Sequence, residues 1–192
     1  MTRTLREPNE LARGRRVESS GLRPATAADA EALTTLGRET FAAAFGHLYP
    51  PKDLAAFLGQ AHTPSQYAAW AADPAHGLWI AEAGAQPIGY ALAGPNALPH
   101  PDAAPGDGEL KRLYVTRAAQ GVGAGSGLLA AALDWLSRPG RPLWIGVWSG
   151  NHRARKLYAR HGFVKVGEYE FHVGETRDRE FILRRAANDG KT

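Results

Sequence analysis

The chain has 192 residues, of which 44% are hydrophobic and 22% charged, and this length and composition suit one globular domain. It contains no cysteine, which excludes disulfides, thiolate metal sites and a cysteine nucleophile. The formal net charge is +4, and residues 1–16 hold five arginines against two glutamates, so +3 of that charge lies there. The rest of the chain is nearly neutral and lacks the basic cluster that nucleic-acid binding requires.

Both ends of the chain are predicted to lie outside the folded domain. Residues 1–20 are basic but have no apolar segment behind the charges, so they predict a disordered extension rather than a secretory signal. No apolar run approaches the length that a membrane helix needs, and we therefore expect a cytoplasmic protein without a membrane partner. The domain is predicted to span residues 21–186 and to be followed by a polar tail, residues 187–192.

The first part of the domain is predicted to be a short strand followed by three helices. The segment SGLRPAT suggests the strand, and the long helix after it is capped by Thr26 with Asp29 three residues later. Pro50 and Pro51 open a second helix, and Thr63 with Pro64 opens a third.

The rest of the chain alternates between strand and helix patterns. Residues 77–94 predict a hairpin that turns at Gly84, and the loop 96–108 is too rich in proline and glycine to pair regularly. Later segments predict strands at 109–116 and 142–148, helices at 126–138 and 152–162, and two final strands. This order predicts an α/β fold: a single domain with a mixed sheet flanked by helices.

A glycine-rich turn joins a predicted strand to a predicted helix at residues 120–127, Gln-Gly-Val-Gly-Ala-Gly-Ser-Gly. Backbone amides at a helix N-terminus, unobstructed by Cβ atoms, favour a phosphate or pyrophosphate group. The alternative is that the glycines only make a tight connection. The turn is not a P-loop, because no lysine follows, and it is not a dinucleotide fingerprint, because Ser126 occupies the last glycine position.

Two motifs together resemble the GNAT (Gcn5-related) N-acetyltransferases. Residues 120–125 match Q-x-x-G-x-G, and residues 151–163 match N-x-x-A-x-x-x-Y-x-x-x-G-F. The resemblance extends over about residues 22–183. Within the family, the segments ETFAAAF and GVWSGN and the terminal hairpin look most like the bacterial spermidine/spermine acetyltransferases of the Pai type. The resemblance implies the GNAT fold, with a mostly antiparallel sheet, and acetyl-CoA as co-substrate.

The same resemblance implies roles for particular residues. Asn151 is expected to hydrogen-bond the arm of the cofactor, and the hydroxyl of Tyr158 to lie near the thioester sulfur. Backbone groups of Leu113, Tyr114 and Val115 are expected to pair with the pantetheine arm. The pyrophosphate is expected to bind at Gln120, Gly121, Val122, Gly123, Ala124, Gly125 and Ser126. Many relatives have arginine or lysine at three of these positions, so here phosphate binding should depend more on amides.

Acetyl transfer to an amine needs a proton acceptor, stabilisation of the developing oxyanion and a proton for the departing thiolate. Glu109, which opens the strand facing the cofactor, is the candidate base; the alternative is a solvated charge at a strand end. A backbone amide near Val115 can meet the oxyanion if the strand splays or bulges there. Tyr158 is the candidate acid, and its alternative role is packing against Leu157. Without cysteine, direct attack in a ternary complex is expected.

The acceptor is predicted to be a small molecule with a primary amine, such as a polyamine. Such a cation needs carboxylates, and candidates are Asp102, Asp107, Glu109, Glu168, Glu170 and Glu175. Trp148 is a candidate for lining the acceptor slot. Acetylation of a protein N-terminus or lysine, and a CoA-responsive binding module without turnover, are the alternatives. No metal is expected, because the seven histidines show no ligand spacing, and the edge of the last hairpin suggests a homodimer.

Overall fold

The computed structural model describes residues 21–187 and contains every strand and helix that the sequence predicts. The predicted N-terminal extension and residues 188–192 of the predicted tail lie outside the described residues. The helices are α1 (Ala30–Phe45), α2 (Pro51–Ala61), α3 (Pro64–Ala72), α4 (Ala124–Leu136) and α5 (His152–Arg160). The strands are β1 (Gly21–Pro24), β2 (Gly77–Ala83), β3 (Gln86–Pro95), β4 (Gly108–Val115), β5 (Leu143–Trp148), β6 (Val164–Val173) and β7 (Thr176–Arg185). No helix within residues 21–187 is long and apolar enough to cross a membrane.

The seven strands form one sheet in the order β1-β2-β3-β4-β5-β7-β6. Every neighbouring pair is antiparallel except β4 and β5. The prediction of a mixed, mostly antiparallel sheet flanked by helices is therefore confirmed. Strands β1 and β6 form the two edges, and the homodimer expected at the last hairpin stays a prediction.

The single parallel pair is short, and this decides where a site can form. Strands β4 and β5 are paired only from Gly108 opposite Leu143 to Leu110 opposite Ile145. Beyond those positions the two strands diverge, while β4 stays paired with β3 up to Val115 and β5 stays paired with β7 up to Trp148. A gap therefore opens in the middle of the sheet.

Helices cover both faces of the sheet, and the residues of β3 pack alternately against the helices on the two faces. Successive side chains of a strand point to opposite faces. Ala91 and Ala93 accordingly pack in the core under α4 and α5, while Tyr90 and Leu92 pack in the core under α1 and α3. This explains why β3 is a continuous apolar run rather than an alternating one.

The helix starts in the first half follow the predicted capping residues. The Asp29 carboxylate accepts a hydrogen bond from the Thr26 amide at 2.7 Å, and a short 3-10 turn at 27–29 leads into α1. Proline stands in the first turn of both α2 and α3, and the Thr63 hydroxyl accepts from the Gln66 amide at 3.3 Å. These helices place the second apolar layer over β3 and β4.

A buried polar network ties the α2–α3 corner to β4. Arg112 donates to the Ala61 carbonyl at 2.8 Å and to the Tyr67 hydroxyl at 3.2 Å. Nδ1 of His62 lies 2.8 Å from the same hydroxyl. Burial and the neighbouring charge of Arg112 lower the pKa of His62 to about 3, so its imidazole is neutral at pH 7. The corner is held by polar contacts as well as by apolar packing.

Candidate active site

The gap between β4 and β5 opens into a cleft of about 790 Å³ that reaches both helical layers. Tyr158 of α5 lines it from one face of the sheet. Tyr49 and Phe57, which belong to the α1–α2 side, line it from the other. A molecule bound in the gap can therefore meet a second molecule that enters from the opposite face.

The glycine-rich turn stands at one end of this cleft and has the geometry of an anion site. Gly121 and Gly123 adopt φ angles of 91° and 95°, which residues with a Cβ atom rarely adopt. Helix α4 begins directly after Gly123, two residues earlier than predicted. The amides of residues 121–126 find no acceptor within residues 21–187, so they are available to a ligand at the N-terminus of α4.

The free edge of β4 offers backbone groups to the same ligand. The Thr116 amide donates to the Ile88 carbonyl of β3 at 2.8 Å. Backbone groups of alternate residues in a strand point to opposite neighbours, so those of Leu113 and Val115 point into the gap. The backbone of Tyr114 faces β3, and its side chain lines the cleft. Two of the three predicted backbone contacts are therefore open.

Strand β4 has separated from β5 at Val115, but its bulge lies elsewhere. The register between β3 and β4 shifts between Leu92 and Ala93, which leaves Lys111 as the extra residue of a bulge. Strand β5 has already left β4 after Leu110. Val115 is therefore in the splayed part of the strand, with its amide directed into the gap, although the bulge itself is four residues earlier.

Tyr158 is buried yet has an unused hydroxyl. The residue is 6% exposed, it packs against Phe163, and its hydroxyl makes no hydrogen bond to any described residue. Burial raises its pKa above the usual value near 10, so the phenol keeps its proton at neutral pH. A protonated hydroxyl that lines the cleft without a partner can serve as a proton donor to a bound group.

Asn151, which is predicted to hydrogen-bond the cofactor arm, also has a structural role as the cap of α5. Its Oδ1 accepts a hydrogen bond from the Ala154 amide at 3.1 Å and caps the N-terminus of α5. The side-chain amide nitrogen remains free to donate into the cleft, which Asn151 also lines. The cap fixes the direction in which this nitrogen points.

Arg153 brings a positive charge to the glycine-rich turn. Its Nη1 donates to Oε1 of Gln120 at 2.6 Å, so the first turn of α5 reaches across to the residue that opens the loop. Arg153 therefore lies beside a turn that has no arginine or lysine of its own.

Glu109, the candidate base, lines the cleft but is already engaged. Its Oε2 accepts hydrogen bonds from the Ala97 amide and from Nζ of Lys111, both at 2.8 Å. The ion pair with Lys111 balances its charge in a largely buried position. As a result, Glu109 is suited to anchoring the loop that begins at Asn96, and less suited to receiving a proton.

Sequence reasoning missed two carboxylates on β7. Asp178 and Glu180 both line the cleft, and each accepts a hydrogen bond from a tyrosine hydroxyl: Tyr49 donates to Asp178, and Tyr169 donates to Glu180 at 2.7 Å. Burial raises the pKa of Glu180 above its usual value. The available signal was the alternation R-D-R-E at residues 177–180, which places both acids on one face of a strand and both arginines on the other.

The other predicted carboxylates do not reach the cleft. Asp107 is buried and accepts from the indole nitrogen of Trp144 at 2.7 Å, which is a structural role. Four are exposed on the surface: Asp102, Glu168, Glu170 and Glu175. Across residues 21–187 no three His, Asp or Glu side chains gather closely enough to hold a metal ion.

Aromatic side chains form much of the wall around the β7 carboxylates. Trp148 lines the cleft as expected, and its ring packs edge-on against Phe45 at 6.0 Å between centroids. Phe57 packs edge-on against Phe171 at 5.6 Å between centroids and lies tilted against Phe41 at 4.8 Å. This side of the cleft therefore combines apolar surface with two acids.

Comparison with known proteins agrees with this geometry. The model of the acetyltransferase (GNAT) family matches residues 39–163. An uncharacterized N-acetyltransferase from the pepI 3' region of Lactobacillus delbrueckii subsp. lactis is 27% identical over 163 residues, covering 82% of this chain and 92% of that protein. An uncharacterized N-acetyltransferase of Mycobacterium tuberculosis is 29% identical over 161 residues, covering 82% of this chain and 97% of that protein.

A solved structure shares the fold. The PaiA N-acetyltransferase from Thermoplasma acidophilum, crystallised in complex with coenzyme A, superposes with a TM-score of 0.70 at 17% identity. The match covers 88% of this chain and 99% of that one. The family model spans more than half of the chain and includes both motifs from which the family was predicted, and that prediction is confirmed: the chain belongs to the GNAT family of acetyltransferases.

Proposed function

We propose that this acetyltransferase moves the acetyl group of acetyl-CoA directly to the primary amine of a small molecule, such as a polyamine. One observation carries the proposal: a single cleft extends from Gln120, which opens the glycine-rich turn, to a wall with two carboxylates, Asp178 and Glu180. A thioester entering along β4 and an amine entering past α1 and α2 would meet in the gap between β4 and β5.

The residues present fit acetyl-CoA. The amides of residues 121–126 are free, and a Cβ atom built on Gly121 or Gly123 would meet nothing within 4 Å, so the turn has room for a diphosphate. Arg153 adds a charge beside it. The open backbone groups of Leu113 and Val115 can pair with the amides of the pantetheine arm as a further strand would. When bound, acetyl-CoA supplies an acyl group activated as a thioester.

The chain's own groups cover the remaining chemistry. The Val115 amide can donate to the acetyl oxygen as negative charge develops there. Tyr158, which keeps its proton at neutral pH, can give it to the departing sulfur. A carboxylate must first take a proton from the ammonium form of the amine, and Glu180 is a stronger candidate than Glu109 because no cation neutralises it among the described residues.

The loop after β3 favours a small acceptor over a protein segment. Glu109 holds the loop through the Ala97 amide. Leu98 then reaches over β5, where its Cδ2 lies 3.1 Å from the position that a Cβ atom on Gly146 would take. A protein N-terminus or a lysine on a folded surface would need an open groove, whereas this loop places Leu98 in the wall of the cleft.

The test is an assay of acetyl-CoA-dependent thiol release over a panel of monoamines, polyamines and short peptides, with a thermal-shift titration of CoA beside it. We expect turnover on small amines and little on peptides. Preferential turnover on peptides would favour the protein acetyltransferase. Stabilisation by CoA without turnover on any member of the panel would contradict the proposal and favour a binding module.

A further inference from the structure

Strand β7 presents two carboxylates to the same wall of the cleft, and each has an oxygen to spare. Asp178 and Glu180 are two residues apart and so lie about 7 Å from each other along one face of the strand. The Tyr49 and Tyr169 hydroxyls each occupy a single carboxylate oxygen. The second oxygen of each acid has no partner among the described residues.

No protein cation balances these two acids. Within residues 21–187 neither Asp178 nor Glu180 takes part in a salt bridge. The arginines that alternate with them on β7 point to the opposite face, and Lys111 is already paired with Glu109. Two half-buried carboxylates without a counter-ion in an aromatic-walled cleft are suited to a ligand that brings positive charge and apolar surface.

A second, independent feature of the cleft also points to a ligand. Tyr158 is more than nine-tenths buried, lines the same cleft and has a hydroxyl without a hydrogen-bond partner in the described chain. The hydroxyl oxygen is not one of the fully buried atoms that lack a partner, so it faces the open cleft. A molecule that enters the cleft can therefore accept its hydrogen bond.

The two acids occupy different places relative to the gap. Glu180 pairs with Trp148 of β5, and its Oε2 lies 3.3 Å from the position of a Cβ atom built on Gly146, so it stands beside the open part of β5. Asp178 lies past the end of β5, opposite Phe171 of β6 and next to Tyr49. Glu180 is thus nearer to the reacting end, and Asp178 is farther out.

We propose that the acceptor carries two cationic nitrogens on a short apolar chain, that Asp178 holds the distal ammonium and that Glu180 takes a proton from the reacting one. This inference rests on the acetyl transfer proposed above and specifies its substrate class. The aromatic side chains Phe41, Phe57 and Phe171 would contact the methylene chain between the two nitrogens.

The proton balance is complete with the groups that line the cleft. The reacting ammonium gives one proton to Glu180, and its lone pair forms the new N–C bond to the acetyl carbon. The C–S bond breaks, and the sulfur takes a proton from Tyr158. The nitrogen then loses its second proton, which restores the tyrosine through solvent, and Glu180 returns its own proton to solvent.

The test compares putrescine with n-pentylamine, in which a methyl group replaces the distal ammonium. A hydrogen bond to a charged group contributes about 1.5 to 3 kcal/mol, so the protein should use putrescine with a kcat/KM at least about tenfold higher. Asp178→Asn should remove most of that preference through KM and change kcat/KM for n-pentylamine less than about twofold.

Glu170→Gln removes an exposed carboxylate from the neighbouring strand and is the matched control. Equal use of both amines by the unaltered protein, or an equal loss on both in Asp178→Asn, would overturn the assignment.

A binding measurement separates this inference from the proposed function. Calorimetric titration of each amine into the CoA-saturated protein should show tighter binding of putrescine, weakened by Asp178→Asn. Tyr49→Phe, which removes only a hydroxyl, should weaken it several-fold and serves if Asp178→Asn does not fold. Selective binding without turnover would contradict acetyl transfer and support the Asp178 site. Turnover without selectivity would support acetyl transfer and contradict the Asp178 site. Equal binding of both amines would also contradict the Asp178 site.

The role of Glu180 has its own comparison. Glu180→Gln should lower kcat at least about tenfold on both amines with little change in the preference between them. Glu109→Gln should cost less, because that carboxylate is held by Lys111 and the Ala97 amide. A larger loss of kcat in Glu109→Gln than in Glu180→Gln would return the proton-accepting role to Glu109.

Discussion

The two ends of the cleft are built in different ways. The turn end consists of backbone amides from one stretch of six residues, 121–126, and the charged side chain of Arg153 reaches the neighbouring Gln120 from α5. The acceptor end consists of side chains from α1, α2, β5, β6 and β7, which are far apart in the chain. The first end has a local sequence pattern, whereas the second exists only after the sheet has formed. Substitutions at the two ends should therefore affect different quantities. Those at the acceptor end should affect stability, those at the turn should affect cofactor binding, and those between the two ends should affect turnover.

The largest expected effect is on stability at the acceptor end, where His62 is buried as a neutral group. In the unfolded chain its pKa is near 6.5, and in the folded chain it is about 3. Below pH 6.5 the unfolded state therefore binds more protons, and stability falls as the pH drops. Between pH 6.5 and 4.5 this single group should cost about 2 to 3 kcal/mol of unfolding free energy.

Urea unfolding at the two pH values checks this effect against His62→Asn, which keeps a polar side chain but removes the titratable imidazole. The variant should lose less stability on acidification than the unaltered protein does. His172→Asn, at an exposed position on β6, should behave like the unaltered protein. The same loss in His62→Asn as in the unaltered protein would show that His62 does not carry the acid sensitivity.

The next effect is on turnover, at the junction of the two ends. Tyr158→Phe removes a proton donor but little contact area, so it should lower kcat at least about tenfold and leave the acetyl-CoA affinity within a factor of about two. Steady-state kinetics with a CoA binding titration measure both quantities. An unchanged kcat would remove Tyr158 from the acid role.

A smaller effect is expected for the backbone of the turn. Gly123→Ala forces a Cβ atom into a left-handed conformation at a cost of about 1 to 2 kcal/mol, which should raise KM for acetyl-CoA about fivefold to tenfold. Gly59→Ala in α2, where a Cβ atom meets nothing within 4 Å, is the matched control and should leave KM for acetyl-CoA unchanged. An unaltered KM in Gly123→Ala would contradict the anion site at this turn.

The smallest effect is expected for Arg153, the charged side chain that contacts Gln120 at the turn. Arg153→Met keeps the aliphatic stem but removes the guanidinium, and should raise KM for acetyl-CoA about twofold to fourfold at low salt. The difference should shrink at high salt, because exposed charges are screened. Arg160→Met, at the other end of α5, controls for the loss of one charge on the same helix. A salt-independent change would indicate a packing role for Arg153 instead.

Local patterns were sufficient where neighbouring residues supply the structure. Every strand and α-helix within residues 21–187 was predicted from local signals: capping residues, the prolines that open α2 and α3, and apolar periods. Each of these signals acts over a few residues. The start of α4 was two residues late in the prediction. Ala124 and Gly125 were assigned to the turn, but the left-handed Gly123 allows the helix to begin immediately after it.

Side-chain roles were harder to predict because they depend on partners distant in the chain. Glu109 and Glu180 are both acids on strands that border the gap, and each has a basic residue within two positions in the sequence, Lys111 and Arg179. In the structure Lys111 forms an ion pair with Glu109, whereas Glu180 is bonded to Tyr169 and has no salt bridge within residues 21–187. Arg153 shows the same limit, since its contact with Gln120 joins positions 33 residues apart.

The amino-acid pattern alone was enough to predict the family, the order of the strands and helices and the position of the glycine-rich turn, because backbone conformation and helix capping are set by near neighbours. The shape and charge of the acceptor site followed from the assembled sheet. Strands β4 and β5 separate after three paired residues, and β7 enters between β5 and β6. That arrangement brings Asp178 and Glu180 next to Tyr49 and Tyr169, and no contact between neighbours in the chain could have specified it.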